Sequence, residues 1–71
     1  MKRFTAHCTV KLSDGSSYIT SVDIHDLNPM MARQTARDAA RMEHMRQGKS
    51  GRIVAVLVDG IFNKNGEEAV T

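Results

Sequence analysis

The chain has 71 residues, with 10 Lys and Arg against 8 Asp and Glu, three His and one Cys, for a formal charge of +2. That length supports one domain over residues 1–71, and a chain so short buries only about 60 % of the surface its unfolded form exposes. The lone Cys8 excludes an internal disulfide, and with three scattered His it leaves no zinc-type ligand cluster.

Further stabilisation is therefore expected from self-association or from a binding partner. The charge is far milder than that of a dedicated nucleic-acid protein. No apolar stretch reaches transmembrane length and no signal-peptide apolar region opens the chain. The expectation is a cytoplasmic protein with Cys8 reduced and no membrane partner.

Arg3 to Leu12 alternates strictly, with Phe4, Ala6, Cys8, Val10 and Leu12 on one side and Arg3, Thr5, His7, Thr9 and Lys11 on the other. This is the pattern of a half-buried strand. Ser13-Asp14-Gly15 is turn chemistry, and Ser17 to Ile24 forms the second strand of a hairpin. A two-residue turn would send Tyr18, Val22 and Ile24 to the polar face. A three-residue loop with a left-handed Gly15 instead sets Phe4, Ala6, Cys8 and Val10 opposite Ile24, Val22, Thr20 and Tyr18, so the apolar sets coincide. The polar face then carries Ser17, Ser21 and Asp23 as well, with Ile19 the apolar exception.

The stretch from Pro29 to about Gln47 predicts the one helix. Asn28 is a good N-cap, Pro29 suits the first helical position, and Gly48 supplies a left-handed stop. Ala32, Ala36, Ala39 and Ala40 are strong helix formers. At 100° per residue, Met31, Ala32, Thr35, Ala36, Ala39 and Met42 fall towards the sheet, the methionines filling gaps at the margin. Arg33, Arg37 and Arg41 fall on the opposite side with His44 beside them, their head groups about 6 Å apart along the axis. Such a strip suits a phosphate or an acidic protein surface. It also reads as the ordinary solvated face of an amphipathic helix.

Lys49-Ser50-Gly51 is a short loop, and Arg52 to Val58 a third strand, apolar on both faces. One set is Ile53, Ala55 and Leu57, the other Val54, Val56 and Val58. Asp59-Gly60 reads as a turn or a bulge, and Asn63-Lys64-Asn65-Gly66 as the stronger turn. Residues 67–70 read either as a short fourth strand or as a tail. The fold class is therefore α+β, ββαβ(β), a small antiparallel sheet with one helix on one face. A right-handed crossover gives the strand order 2-1-3, with any fourth strand beside the third.

One helix covers one face of a sheet. The other face is expected to expose Ile19, Val54, Val56 and Val58 among the polar hairpin residues, and to be buried by a second copy, by a protein partner, or by a C-terminal tail carrying Ile61, Phe62 and Val70. Cys8 reads as a small core residue rather than a reactive thiol. His7 between Thr5 and Thr9 reads as a ligand-polarising group or simply as a solvated one. Asp23, His25 and Asp26 offer three possible metal ligands in four residues, or mark a strand end and helix approach. No nucleophile–base arrangement or glycine-rich phosphate fingerprint is present, so no catalytic residue, metal, cofactor or small-molecule substrate is expected.

The combination of a hairpin with an Asp14-Gly15 turn, an Ala-rich amphipathic helix and the strand Val54-Ala55-Val56-Leu57-Val58 followed by Asp59-Gly60 resembles small accessory proteins encoded by phages and other mobile elements, several CRISPR inhibitors among them. The resemblance is one of layout and spans most of the chain. It implies a non-enzymatic role exercised by binding, and it assigns no residue. The leading expectation is an adaptor or inhibitor of a protein partner. The alternatives are a binder of nucleic-acid backbone through the arginine strip, and a structural subunit of a homo-oligomer.

Overall fold

The computed structural model describes residues 1–69. The elements are β1 (Lys2–Leu12), β2 (Ser17–Asp26), α1 (Pro29–Arg46) and β3 (Ile53–Asn63). The strand order is β2-β1-β3, with both pairs antiparallel. β2 and β3 are thus parallel to each other across β1, joined by the helix that covers one face.

The hairpin takes the three-residue loop. Gly15 adopts a φ of 90°, the region that favours glycine. Leu12 N donates to Ser16 O at 2.9 Å and Gly15 N to Leu12 O at 3.1 Å. Asp14 Oδ1 accepts from Ser16 N at 2.9 Å and secures the turn. Phe4, Ala6, Cys8 and Val10 consequently pair with Ile24, Val22, Thr20 and Tyr18, the register that brings the apolar sets to one face.

The helix begins where the cap predicts. Asn28 Oδ1 accepts from Met31 N at 2.9 Å, and Pro29 opens the first turn. At the far end Gly48, at a φ of 66°, donates to Met45 O at 3.0 Å, and Lys49 N reaches His44 O at 3.3 Å. The buried stripe is Ala32, Ala36, Ala40 and His44, one residue every turn. Three methyl groups in a row let the helix backbone lie close on the sheet, and that closeness narrows the buried arc. Met31 and Met42, expected at its margin, are exposed instead.

Two bulges decide the faces of β3, which runs past Val58 to Asn63. His7 faces Gly60 while Cys8 faces Val58, so Asp59 is an extra residue. Lys11 faces Ala55 while Leu12 faces Ile53, so Val54 is another. Val56 therefore pairs with Val10 and Val58 with Cys8, both on the helix side. This corrects the expectation that Val56 and Val58 lie on the open face: Val56 is buried, and Val58 is half-buried and packed against the core. Beyond the second bulge Ile61 pairs with Ala6 and is fully buried.

After β3 the chain turns at Asn63, whose Oδ1 accepts from Asn65 N and Glu67 N at 2.9 and 3.1 Å. It returns antiparallel beside β3, with Asn63 N donating to Glu67 O and Ala69 N to Ile61 O. Glu68 forms an isolated bridge with Phe62. This is the place expected for a fourth strand, taken up by a single bridge; Val70, expected in that segment, lies outside the described residues.

Candidate functional site

Three surfaces carry side chains that are not consumed by the core: the flank of the helix, its outer ridge, and the open face of the sheet.

The three arginines of the strip differ in their surroundings. Arg33 is half-buried and its Nη1 donates to Val58 O at 3.2 Å, next to the bulge at Asp59. A carbonyl displaced from regular pairing is satisfied in this way. Arg37, also half-buried, reaches Gln34 Oε1 at 3.4 Å. Arg41 is exposed and makes no hydrogen bond or ion pair among the described residues. Of the three expected head groups, one is structural, one is at the margin and one faces solvent.

His44, expected beside the strip, is 5 % exposed and belongs to the buried stripe. Its Nδ1 lies 2.7 Å from the Tyr18 hydroxyl and its Nε2 2.9 Å from Gly51 O. A carbonyl only accepts, so Nε2 carries the hydrogen and Nδ1 accepts from Tyr18 in the neutral ring. Lys49 Nζ sits 4.6 Å from the centre of the Tyr18 ring. The histidine pins the end of α1 to β2 and to the following loop, and offers nothing to a ligand. Four residues beyond Ala40 it continues the alanine spacing, which is the signal in the sequence for its burial.

The outer ridge of the helix carries exposed methionines at both ends where a charged face was expected. Met30, Met31, Met42 and Met45 are 72, 47, 70 and 78 % exposed. Gln34, Asp38 and Arg41 lie among them, also exposed. Glu43, on the other flank, is tied to Arg46 and Gln47; the Arg46 bonds hold its carboxyl below the usual range.

The open face is a set of polar rungs. Thr5 Oγ1 donates to Asp23 Oδ1 at 2.8 Å, Ser21 Oγ meets His7 Nδ1 at 2.9 Å, and Thr9 Oγ1 donates to Asp59 Oδ2 at 2.6 Å. Arg3 Nε lies 3.5 Å from His25 Nε2. The apolar residues here are Ile19 and Leu57, both opposite Thr9, with Val54 exposed at the bulge. Leu57 thus takes the place expected of Val56 and Val58. Phe62 lies on the same face, its ring centre 5.0 Å from that of His7 and edge-on to it. Of the tail residues expected to cover this face, Phe62 does so in part while Ile61 enters the core.

The remaining chemistry is used internally. Asp26 does not join Asp23 and His25; it turns to the helix side, where Thr35 Oγ1 donates to it at 2.5 Å and Leu27 N at 2.8 Å. Among the described residues no three His, Cys, Asp or Glu side chains are grouped to hold a metal ion. Cys8 is buried, and burial pushes its thiol above the ordinary value, with Asp59 adding to the rise and Arg37 opposing it. That favours the neutral thiol over the nucleophilic thiolate.

Fold and surfaces together define a small α+β protein of three antiparallel strands and one helix. No family model matches the chain, and no curated protein or solved structure matches it. Among the described residues no helix is long and apolar enough to cross a membrane.

Proposed function

We propose that the protein is a non-enzymatic, cytoplasmic binding protein that acts by occupying a protein partner, an adaptor or inhibitor of the kind the mobile-element layout implies. The observation that carries this reading is the methionine ridge of α1. Every methionine of the helix is exposed, on the face where an isolated amphipathic helix carries charge. Methionine is flexible and polarisable, and suits a surface that must adapt to another protein.

The magnitudes set what the partner must look like. Burying one methionine is worth roughly 1.5–3 kcal/mol, while association costs about 4–15 kcal/mol before any net affinity appears. Four partly exposed methionines barely offset that cost. The partner therefore also engages Arg41 and Arg37 on one flank of the ridge, so its complementary surface has an apolar centre and an acidic margin.

The test is affinity capture from a lysate of the source cells with the tagged chain, with nuclease present, comparing wild type with a variant carrying Gln at positions 30, 31, 42 and 45. The expected result is a stoichiometric protein retained by wild type and lost by the variant, with Arg41→Glu weakening retention. Equal retention by both chains removes the ridge from the argument. A ligand-free homo-oligomer that dissociates on the same substitutions assigns the ridge to self-association instead.

A further inference from the structure

We propose that the trough at the end of the sheet where β1 begins and β3 ends binds a single strand of nucleic acid. Its phosphate is held by Arg3 and Lys64, and a base stacks on Phe62. This site is on the opposite side of the protein's chemistry from the helix ridge and stands independently of it.

Two adjoining depressions of about 510 Å³ each share Arg3, Asn63 and Lys64 as a common wall. That size is within the range of small-ligand sites, about 300–1,000 Å³. The first depression adds Lys2, His25 and Asn65, and no carboxylate lines it. Its cations have no acidic partner: the ion pair present among the described residues is Arg46 with Glu43, on the helix. Arg3 meets His25 through Nε, and among the described residues both terminal NH2 groups of its guanidinium make no hydrogen bond. Asn63 lines both depressions, its Oδ1 taken by Asn65 N and Glu67 N. A groove walled by donors and uncompensated cations favours an anion, and a guanidinium fork matches two phosphate oxygens.

The second depression adds Thr5, His7, Asp23 and Phe62. Asp23 accepts from Thr5, and Glu68, bridged to Phe62, brings its Oε2 to 3.8 Å from where a Gly60 Cβ would stand, beside the Phe62 ring; both carboxylates would repel a phosphate there. The two ends are therefore unlike: one for the anion, one for a flat uncharged ring. Phe62 is half-exposed on this face and held in position on two sides. His7 braces it edge-on, and its ring lies over Gly60, where a Cβ would stand 2.9 Å from the Phe62 Cε2. A ring fixed against the sheet next to cations is the arrangement on which bases of single strands stack; bases within a duplex are stacked on one another and cannot reach it.

The test is a fluorescence-anisotropy titration of the full chain with a labelled oligodeoxythymidylate. Neutralising one phosphate predicts an affinity that falls about two- to threefold between about 50 and 200 mM salt. Arg3→Glu with Lys64→Glu lowers affinity at least about tenfold, Phe62→Leu about fivefold or more, and a duplex of equal length binds more weakly than the single strand. Arg41→Glu, on the helix, leaves affinity unchanged. With unmodified protein, addition of the oligonucleotide shifts the amide resonances of residues 2–7 and 62–65 in a nitrogen-15 spectrum. That mapping stands even where the Phe62 variant folds poorly. The proposal is overturned by an absence of saturable binding at the lower salt, by amide shifts centred on α1, or by an Arg41→Glu loss equal to that of the sheet variant. Duplex and single strand binding alike, with Phe62→Leu silent, overturns it too.

Discussion

The Tyr18 hydroxyl donates to Nδ1 of His44 across 2.7 Å, while the other nitrogen of the ring donates to Gly51 O at 2.9 Å. One imidazole thus ties the last turn of α1 to β2 and to the loop that leads into β3. Tyr18→Phe removes the donor and leaves a buried acceptor unsatisfied, at a cost of about 1–3 kcal/mol. In a domain of this size that lowers Tm by roughly 4–8 °C per kcal/mol. His44→Ala costs more, since it also leaves a void beside Ala40. A thermal melt of Tyr18→Phe that overlays wild type would show that the bond contributes nothing net.

Asp26 makes stability depend on pH. The Thr35 hydroxyl first, and the Leu27 amide second, hold its carboxyl below the ordinary 3.8. A carboxylate whose folded pKa is depressed contributes stability above its unfolded pKa, and that contribution disappears as pH falls through the folded one. Urea midpoints are expected to fall from about pH 5 downward, and less steeply in Asp26→Asn than in wild type. Asp14 and Glu43 are depressed as well, by Ser16 and by Arg46, and both remain in the variant. The difference between the two curves therefore belongs to Asp26. Parallel curves would mean that the Thr35 bond is equally available in the unfolded chain.

The arginine strip predicts two different behaviours from one residue type. Arg33 satisfies the Val58 carbonyl beside a bulge, and its loss costs about 1 kcal/mol, a charged hydrogen bond discounted for partial exposure. Arg41 makes no hydrogen bond or ion pair among the described residues, and Arg41→Ala changes stability by less than about 0.5 kcal/mol. Chemical denaturation of the two alanine variants separates them. Equal effects would return the strip to the uniform surface that its spacing suggests.

What the sequence conveyed is explained by which signals are local. Asn28, Pro29 and Gly48 are chemical markers of helix ends, and the helix spans Pro29–Arg46. Gly15 and the coincidence of apolar sets determine the hairpin register, which is observed pair for pair. β3 defeats the same reasoning because both of its faces are apolar, so alternation carries no sign. Only the non-local pairing with β1, shifted at Val54 and Asp59, decides that Val56 and Val58 turn inward and Leu57 outward. His44 is polar, yet its spacing after Ala40 places it in the buried stripe, while Met31 and Met42 are apolar, yet they lie outside it. A stripe of alanines is narrow, and larger apolar side chains beside it remain in water. The groove at Lys2, Arg3 and Lys64 joins residues about sixty positions apart, and no pattern along the chain foreshadows it.

Gly60 gives the sharpest test of how the open face is built. Its φ is not positive, so alanine is compatible with the backbone, and replacing a glycine at such a position ordinarily stabilises by about 0.4–1 kcal/mol. Here the added methyl would stand 2.9 Å from Cε2 and 3.2 Å from Cζ of Phe62, so the ring must leave its seat against His7. Gly60→Ala is therefore expected to destabilise wild type by about 1 kcal/mol, within the range for overpacking. In a Phe62→Ala background the obstacle is gone, and the same substitution should stabilise. The coupling in this double-mutant cycle is then about 1–2 kcal/mol, typical of residues in direct contact. Denaturant midpoints of the four proteins measure it. A Gly60→Ala effect of the same sign in both backgrounds would mean that the ring moves aside freely, and would weaken the case for Phe62 as a fixed platform.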